Sequence, residues 1–420
     1  MNIDNQPTAD MIEHVRDIPI YRDSIEKNFF PIIDKHDIAR DFPDSWMTPH
    51  LAQAIEIGAA EFVLSTGTHH ARMQIIRPPY FLLNSYYRLW RAHPDIGFTW
   101  REECQRVSLT TVLATEHVAR VNAGKHGVQG RESSQADPRR LDARTLYLNQ
   151  RLDPACWTRS EIAQMLDDIE TARDGHPQGF YHLDCASYHL AHFVRKLDEF
   201  GLTNDFPKPA SIIHAYEYTP DNVKRFLQKR FDCPIVELFG STELGYLYYG
   251  DQQGCYKPYL DKMQVELIPF DSGSGIYSLI VSSIRNPYMP LIRYRSGDCA
   301  KTIDGSPDPA KIIRFCGREK EMLEAPSGIV AQSDFDELIS NASRQIFVYQ
   351  LRTSHAQCGE LHYTTFDDNP LPLSTAAQLS HDILRRTGLH VGVYHRLHIP
   401  IGKSGKYAWL LKMADAPIHT

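Results

Sequence analysis

The sequence is poor in the features that mark several large classes of protein. Its eight cysteines stand apart at 104, 156, 185, 233, 255, 299, 316 and 358, and no Cys-x-x-Cys pair occurs. A zinc knot or disulfide framework is therefore not expected, and reduced, buried thiols are. Positive charge is not in excess: 45 Lys and Arg against 52 Asp and Glu leave a formal charge of −7. That balance gives no electrostatic footprint for nucleic acid, so no such partner is expected. No apolar run approaches a membrane span, and Met1-Asn2-Ile3-Asp4-Asn5 lacks the basic and apolar regions of a signal peptide. A cytoplasmic protein with no membrane contact is the expectation. The tail holds Gly402-Lys403-Ser404, but position 397, where a Walker A motif needs its first glycine, is Leu. A Walker A phosphate loop is thereby excluded.

What is present is enough for a large core. The 420 residues are 42% hydrophobic and 10% aromatic, which excludes a mainly disordered chain and suggests about two or three domains. The first forty residues, with Tyr21, Phe29, Phe30 and Pro31, read as an irregular arm packed on the core. A helical pattern runs from Pro49 through Leu51 and Ile55 to Phe62. It leads into Ser65-Thr66-Gly67-Thr68-His69-His70-Ala71-Arg72. Hydroxyls and backbone N–H groups around a glycine can wrap phosphate oxygens; the same residues also suit a polar surface loop.

Pro78-Pro79 opens an aromatic helix, Tyr80 to Trp90, and residues 122 to 145 read as an exposed loop. Thr158 and Glu161 form a capping box ahead of the stripe Ile162, Met165, Leu166, Ile169. Phe180–Cys185 reads as a strand, and the following helix ends near Gly201. His189 and His192 lie on that helix among apolar residues and are expected in the core or in a pocket wall. Ser211 to Glu217 is a strand end; Thr219 caps a helix with Pro220 at its first position; Pro234–Phe239 is the returning strand. A strand–helix–strand unit implies a parallel pair, which places Tyr216-Glu217 and Phe239-Gly240 at one edge of the sheet. There Gly240-Ser241-Thr242-Glu243 can turn sharply, with two hydroxyls and a carboxylate suited to a phosphate and its Mg2+. An ordinary strand–turn junction has the same composition.

Beyond residue 254, Met263–Pro269 and Ile276–Ile284 read as a hairpin, Leu291 to Asp298 as a strand ending in a carboxylate, and Lys311–Cys316 as another strand. Strands over Gln345–Leu351, Glu360–Phe366 and Val391–Ile399, with helices Phe335–Asn341 and Ser374–Thr387, make a small α+β domain. The division falls into residues 1–316 and 317–420.

The ordered series Ser65-Thr66-Gly67-Thr68, Ala215-Tyr216-Glu217, Phe239-Gly240-Ser241-Thr242-Glu243, Arg293-Tyr294-Arg295-Ser296-Gly297-Asp298, Gly317-Arg318 and Ser404-Gly405-Lys406 resembles the adenylate-forming superfamily, most closely its phenylacetate–CoA ligase-like branch. The resemblance implies an α/β and α+β protein: a large multi-sheet N-terminal adenylation domain and a small mobile C-terminal lid. It implies that Ser65, Thr66, Gly67 and Thr68 cover the ATP phosphates. Ala215, Tyr216 and Glu217 would frame adenine with Phe239, alongside Glu237, Gly240 and Ser241. Thr242 would contact the α-phosphate, Glu243 would bind Mg2+, and Asp298 would accept from the ribose hydroxyls with Arg318 nearby. Lys320 falls at the hinge, and Lys406 resembles the catalytic lysine.

The implied activity is ATP-dependent: a carboxylic acid becomes an acyl-adenylate, and CoA or an acyl carrier protein supplies the acceptor thiol. Tyr80, Phe81, Tyr86, Tyr87, Trp90, Tyr181 and Tyr188 point to an aryl or apolar acid, or are all core. Two alternatives remain, a ligase whose acceptor is an amine and a non-catalytic nucleotide-binding relative. The second is motivated by His69-His70 where the family usually shows Thr-Gly. A homodimer is compatible with all three.

Overall fold

The computed structural model describes residues 6–64, 73–123, 137–252, 254–355 and 358–412. The leading segment is more regular than its sequence suggests, with short helices α1 (Ala9–Val15), α2 (Arg22–Glu26) and α3 (Lys35–Ala39). Local caps account for them: Thr8 accepts from the Met11 amide, and Asp34 with Asp37 closes a capping box on α3. Tyr21 ties this segment to a distant strand, donating to the Pro290 carbonyl and accepting from the Ile292 amide, both at 3.0 Å. Helix α4 (Pro49–Glu56) stops before Phe62, because Gly58 at φ 70° turns the chain out of the helix. Phe62 instead lies in β1 (Glu61–Leu64), antiparallel to β2 (Gln74–Arg77). Ser65, Thr66, Gly67, Thr68, His69, His70 and Arg72 fall between these strands, outside the described residues.

Helices α5 (Phe81–Ala92) and α6 (Gly97–Arg101) precede a seven-stranded sheet. Its strands are β3 (Gln105–Leu109), β4 (Thr145–Tyr147), β5 (Tyr181–Cys185), β6 (Ser211–His214), β7 (Ile235–Ser241), β8 (Gly245–Gly250) and β9 (Tyr256–Pro258). Helices α7 (Ala114–Ala123), α8 (Arg159–Asp174), α9 (Ser187–Phe200) and α10 (Asp221–Gln228) are interspersed. In space the order is β4-β3-β5-β6-β7-β8-β9; the first five strands are parallel and the last two antiparallel. Every residue of β5 and β6 is buried, as a parallel sheet covered on both faces requires. Ile162, Phe193 and Leu227 of α8 to α10 pack on one face; Tyr86, Leu89 and Trp90 of α5 pack on the other. The Thr158–Glu161 capping box starts α8, and Gly201 at φ 68° ends α9, as read from the sequence.

The start of α10 differs. Pro220, not Thr219, is the cap residue and has no side-chain bond of its own; the Asp221 amide donates instead to Asp336 Oδ2 at 2.9 Å. A carboxylate from a remote helix supplies the missing cap.

A second sheet is antiparallel, β10 (Met263–Pro269), β11 (Tyr277–Ser283), β12 (Leu291–Thr302) and β13 (Ile312–Arg318) in that order. The leading helices bury Trp46, Ile38 and Tyr21 against it. The hairpin β14 (Leu323–Ala325) and β15 (Gly328–Val330) follows. Helices α11 (Gln332–Ala342) and α12 (Leu373–Thr387) then cover β16 (Ile346–His355), β17 (Cys358–Thr365), β18 (His390–His395) and β19 (Leu410–Lys412). This last sheet, ordered β18-β17-β16-β19, has its own core of Phe335, Ile339, Leu361, Leu379 and Ile383. Strand β19 carries too few residues to show in the sequence, and β18 is shorter than the run Val391–Ile399. The division at residue 317 meets the last two residues of β13, where Gly317 pairs with Cys299.

The C-terminal part packs on α9 and α10. Phe226 and Phe366 stack at 4.6 Å, and Asn222 Nδ2 donates to the Ser343 and Ile346 carbonyls at 2.9 Å. Phe347 and Ile399 join the apolar set of the large sheet.

Candidate active site

Strand β7 does not stop at Gly240. It runs to Ser241, and the chain returns antiparallel as β8, so Ser241 to Gly245 form a hairpin tip. Two strands this close leave no room for a side chain: a Cβ on Gly240 would lie 2.2 Å from the Gly245 carbonyl oxygen. The hairpin fixes Glu243, which is 6% exposed, and Tyr294 of β12 donates its hydroxyl to Glu243 Oε1 at 3.0 Å. Thr242 is half-buried beside it, and Ser241 Oγ is buried without a hydrogen-bond partner among the described residues. A buried carboxylate and a spare hydroxyl at a strand end have the donor chemistry for a hard cation and a phosphate.

Asp298 comes from the second sheet. It lies within β12 rather than at its end, because Gly297 at φ 77° bulges the strand and lets it continue to Thr302. Tyr294, Ser296 and Asp298 alternate inward, and the Asp298 amide donates to Ser296 Oγ at 3.1 Å. Arg318, its partner across β13, places Nε 3.5 Å from Asp298 Oδ1. Burial raises the Asp298 carboxyl, Arg318 opposes that rise, and Glu243 adds to it. The mutual influence places both carboxylates and Arg318 in one region. Asp298 in turn raises Arg318 despite its burial.

Glu217 lies three residues past β6, whose parallel pairing with β7 sets both strand ends at one edge. Its Oε1 accepts from the Tyr188 amide of α9 at 3.1 Å. Burial pushes the Glu217 carboxyl up to about 7, while the Tyr188 amide and Lys406 hold it down. Tyr216 takes a left-handed φ of 78°, costly for a residue with a side chain, and donates to Asp184 Oδ2 at 2.5 Å. Ala215 is buried, with its amide on the Cys185 carbonyl.

Lys406 completes the group. A tight turn presents it, with the Gly405 amide on the Gly402 carbonyl at 2.9 Å and the Gly402 amide on the Lys406 carbonyl at 2.8 Å. The turn seats on the loop after β3, where a Cβ on Gly405 would lie 1.9 Å from the Thr111 carbonyl oxygen. Burial lowers the Lys406 ammonium, and Arg318 lowers it further; Glu217, Glu321 and Asp298 raise it. Glu243, Asp298, Arg318, Glu217 and Lys406, drawn from five separate stretches, thus share one site. Lys320 sits on the short turn Glu319–Glu321 at its rim, its ammonium lowered by burial.

Two expected contacts have local partners. The Phe239 ring lies flat on Phe315, centroids 3.5 Å apart and planes at 6°. Glu237 accepts from Lys224 Nζ at 2.9 Å and from the Tyr256 hydroxyl; burial raises its carboxyl, but these partners leave it lowered. Of the aromatic set, Tyr181 donates to the Pro207 carbonyl in the core, and Tyr188 packs on Tyr407 at 4.8 Å. His189 is buried, and His192 meets the Tyr407 hydroxyl at 2.8 Å.

The sequence did not single out Tyr294, Glu321 or the buried pair Arg106–Asp184. Tyr294 was findable, standing four residues before Asp298 on the same strand face. Arg106 and Asp184 lie on adjacent strands, with Arg106 Nε 3.1 Å from Asp184 Oδ2, and nothing local announces their pairing.

No protein-family description and no curated protein matches the chain. Solved structures do. A 2-hydroxyisobutyryl-CoA ligase in the postadenylation state with 2-HIB-AMP matches over 96% of this chain and 87% of its own, at TM-score 0.65 and 12% identity. The anthranilate CoA ligase AuaEII with anthranoyl-AMP matches over 83% and 65%, at TM-score 0.55 and 12% identity. An ATP-bound RpMatB-BxBclM chimera, B3, matches over 83% and 66%, at TM-score 0.51 and 13% identity. Likeness at such identity fixes the fold: a large N-terminal and a smaller C-terminal part in the adenylate-forming ligase arrangement.

Proposed function

We propose that the protein is an ATP-dependent acid–thiol ligase that forms an acyl-adenylate and passes the acyl group to CoA or a carrier-protein thiol. The observation that carries this reading is the Arg318–Asp298 pair at 3.5 Å beside Glu243, which Tyr294 of the same strand as Asp298 bonds at 3.0 Å, with the buried Lys406 ammonium within electrostatic reach of Asp298, Arg318 and Glu217. The ligands bound by its structural neighbours, acyl-adenylates and ATP, support it. The finer assignment to the phenylacetate–CoA ligase-like branch rests on Phe239 to Glu243 followed by Arg293 to Asp298.

In this reading Ser65, Thr66, Gly67 and Thr68 cover the outer phosphates. Thr242 and Ser241 donate to the α-phosphate, and Asp298 accepts from the ribose hydroxyls. A buried carboxylate raised by desolvation gains most from such donors. Phe239, braced from behind by Phe315, gives adenine a rigid face alongside Ala215 and Tyr216. Glu237 acts on β7, holding the strand through Lys224 and Tyr256. Glu243, oriented by Tyr294, would hold Mg2+, which supplies positive charge to the phosphates when bound. The attacking acid and the α-phosphate are both anionic, so the Lys406 ammonium, in a site of low polarity, lowers their repulsion. Positioning and electrostatics suffice, and no covalent nucleophile is needed.

We assign residues 1–316 to adenylation and 317–420 to a lid hinged at Lys320. The acid is aryl or apolar, with Phe81 of the aromatic set lying against Gly245 at the hairpin tip. Tyr86, Tyr87 and Trp90 bond to His182, Thr145 and Thr99 near the strand starts, and Tyr181 and Tyr188 are spent elsewhere. Acid-dependent exchange of pyrophosphate into ATP, screened over many carboxylic acids, tests the first step. Exchange lost in Lys406→Ala, with AMP release stimulated by CoA, supports the proposal. No exchange with any acid overturns it, and AMP release stimulated only by an amine overturns the thiol acceptor.

A further inference from the structure

Outside the site, one group of side chains has the composition of a metal centre. Asp153, Cys156 and His398 bring a carboxylate oxygen, a thiol sulfur and an imidazole nitrogen within 4.8 Å of one another. Asp153 caps the 3-10 turn Pro154–Cys156 and Cys156 ends it, so the two, three residues apart, project to the same side. Asp153 divides its oxygens: Oδ1 accepts from the Ala155 amide at 3.0 Å and fixes the carboxylate, while Oδ2 lies 2.9 Å from His398 Nε2. The third side chain comes from the C-terminal part, so the group spans the contact between the two halves of the protein. Side-chain exposure of 20% for Asp153 and 43% for His398, with Cys156 exposed, leaves the position open to an ion from solution.

We propose that Asp153, Cys156 and His398 bind a zinc-class divalent ion that staples the Lys406 segment to the large domain. Sulfur, nitrogen and oxygen donors together favour Zn2+ or Co2+ over Mg2+ or Ca2+, and three protein ligands leave a fourth position for water. The mechanical consequence follows from the chain path. His398 precedes Lys406 by a short loop, and the next residue, Tyr407, holds His192 of α9. An ion at His398 therefore anchors the loop on the side opposite the Tyr407–His192 bond, and the ammonium is held between two fixed points. Removing the ion frees one of them.

The test uses the full chain, stripped with a chelator and assayed without ATP or acid, so its result does not depend on the ligase reading. Co2+ is titrated while the thiolate-to-cobalt charge-transfer absorption is followed, and Zn2+ is then added in competition. The expected result is one equivalent of Co2+ with that band, displaced by Zn2+. Cys156→Ser removes the band, His398→Ala weakens binding by at least about tenfold, and Cys255→Ser, at another exposed thiol, changes nothing. All three positions are solvent-facing, and circular dichroism checks that each variant is folded. In the wild type Zn2+ also slows proteolytic cleavage of the loop between His398 and Lys406, and in His398→Ala it does not. Absence of the band, or a band that survives Cys156→Ser, overturns the proposal.

Discussion

The two sides of the candidate site are built in opposite ways. Glu243 sits at the tip of a tight hairpin and Asp298 within a strand, each oriented by a neighbour in a sheet and backed by a buried core. Lys406 sits on a turn whose seat is a close approach of Gly405 to Thr111, helped by Tyr407 on His192. Carboxylates that must hold a fixed geometry are placed where the backbone is most constrained. The charge contributed by the C-terminal part of the chain sits on a turn held in place by a few local contacts. Under the proposed function, in which nucleotide and acyl-adenylate enter and leave, this asymmetry serves both binding and release.

The sharpest way to break the comparison is on the side of the turn. Lys406→Ala should lower adenylation, read by pyrophosphate exchange, by about 10²–10³-fold, with thermal stability nearly unchanged. An equal loss of stability would mean that the lysine holds the fold together rather than the reaction. On the sheet side Gly240→Ala should show the reverse pattern. Its methyl group meets the Gly245 carbonyl, so unfolding by urea should reveal a loss of about 1–3 kcal/mol. Activity should fall because the hairpin shifts.

Acid should separate the regions further. Burial holds His189 and His214 down to about 4, so both are neutral in the folded protein at ordinary pH. A base lowered on folding contributes stability that is complete above its unfolded value, about 6.5. That stability is lost as pH falls toward about 4, on the order of 3 kcal/mol for each histidine. Tm should therefore drop through this window, and His214→Asn should flatten the drop if it folds. An unchanged slope would show that the sheet is not where acid acts. The smallest effects belong to single hydrogen bonds. Tyr294→Phe and Tyr407→Phe should each cost about 0.5–1.5 kcal/mol of stability. Only the first should raise the Mg2+ concentration needed for half-maximal exchange.

How much of this was legible in the chain depends on distance along it. Where cause and effect are neighbours, the residues announced the structure: Thr158 and Glu161 start α8, Gly201 ends α9, and the parallel pairing of β6 with β7 follows from one strand–helix–strand unit. The proposed site residues Glu243 and Asp298 drew notice because each stands in a short polar run closing an apolar one. What stayed hidden involved remote partners. Thr219 looked like a cap for α10, but Asp336 performs that role from 115 residues away. The strand through Asp298 looked finished because a glycine usually ends a strand; here Gly297 bulges it and pairing resumes up to Thr302. The leading arm looked irregular because its short helices owe their stability to Tyr21, Ile38 and Trp46 packing on a sheet formed much later in the chain.

The seat under Gly405 has a consequence for how the lysine is controlled. Where main chain rests directly on main chain, there are no side-chain rotamers between them to give way by degrees. Such a contact behaves as a latch with two positions, fully engaged or lifted clear, and small forces applied elsewhere change the fraction of molecules in each rather than the position itself. The ammonium at residue 406 would then be switched on or off, never dimmed.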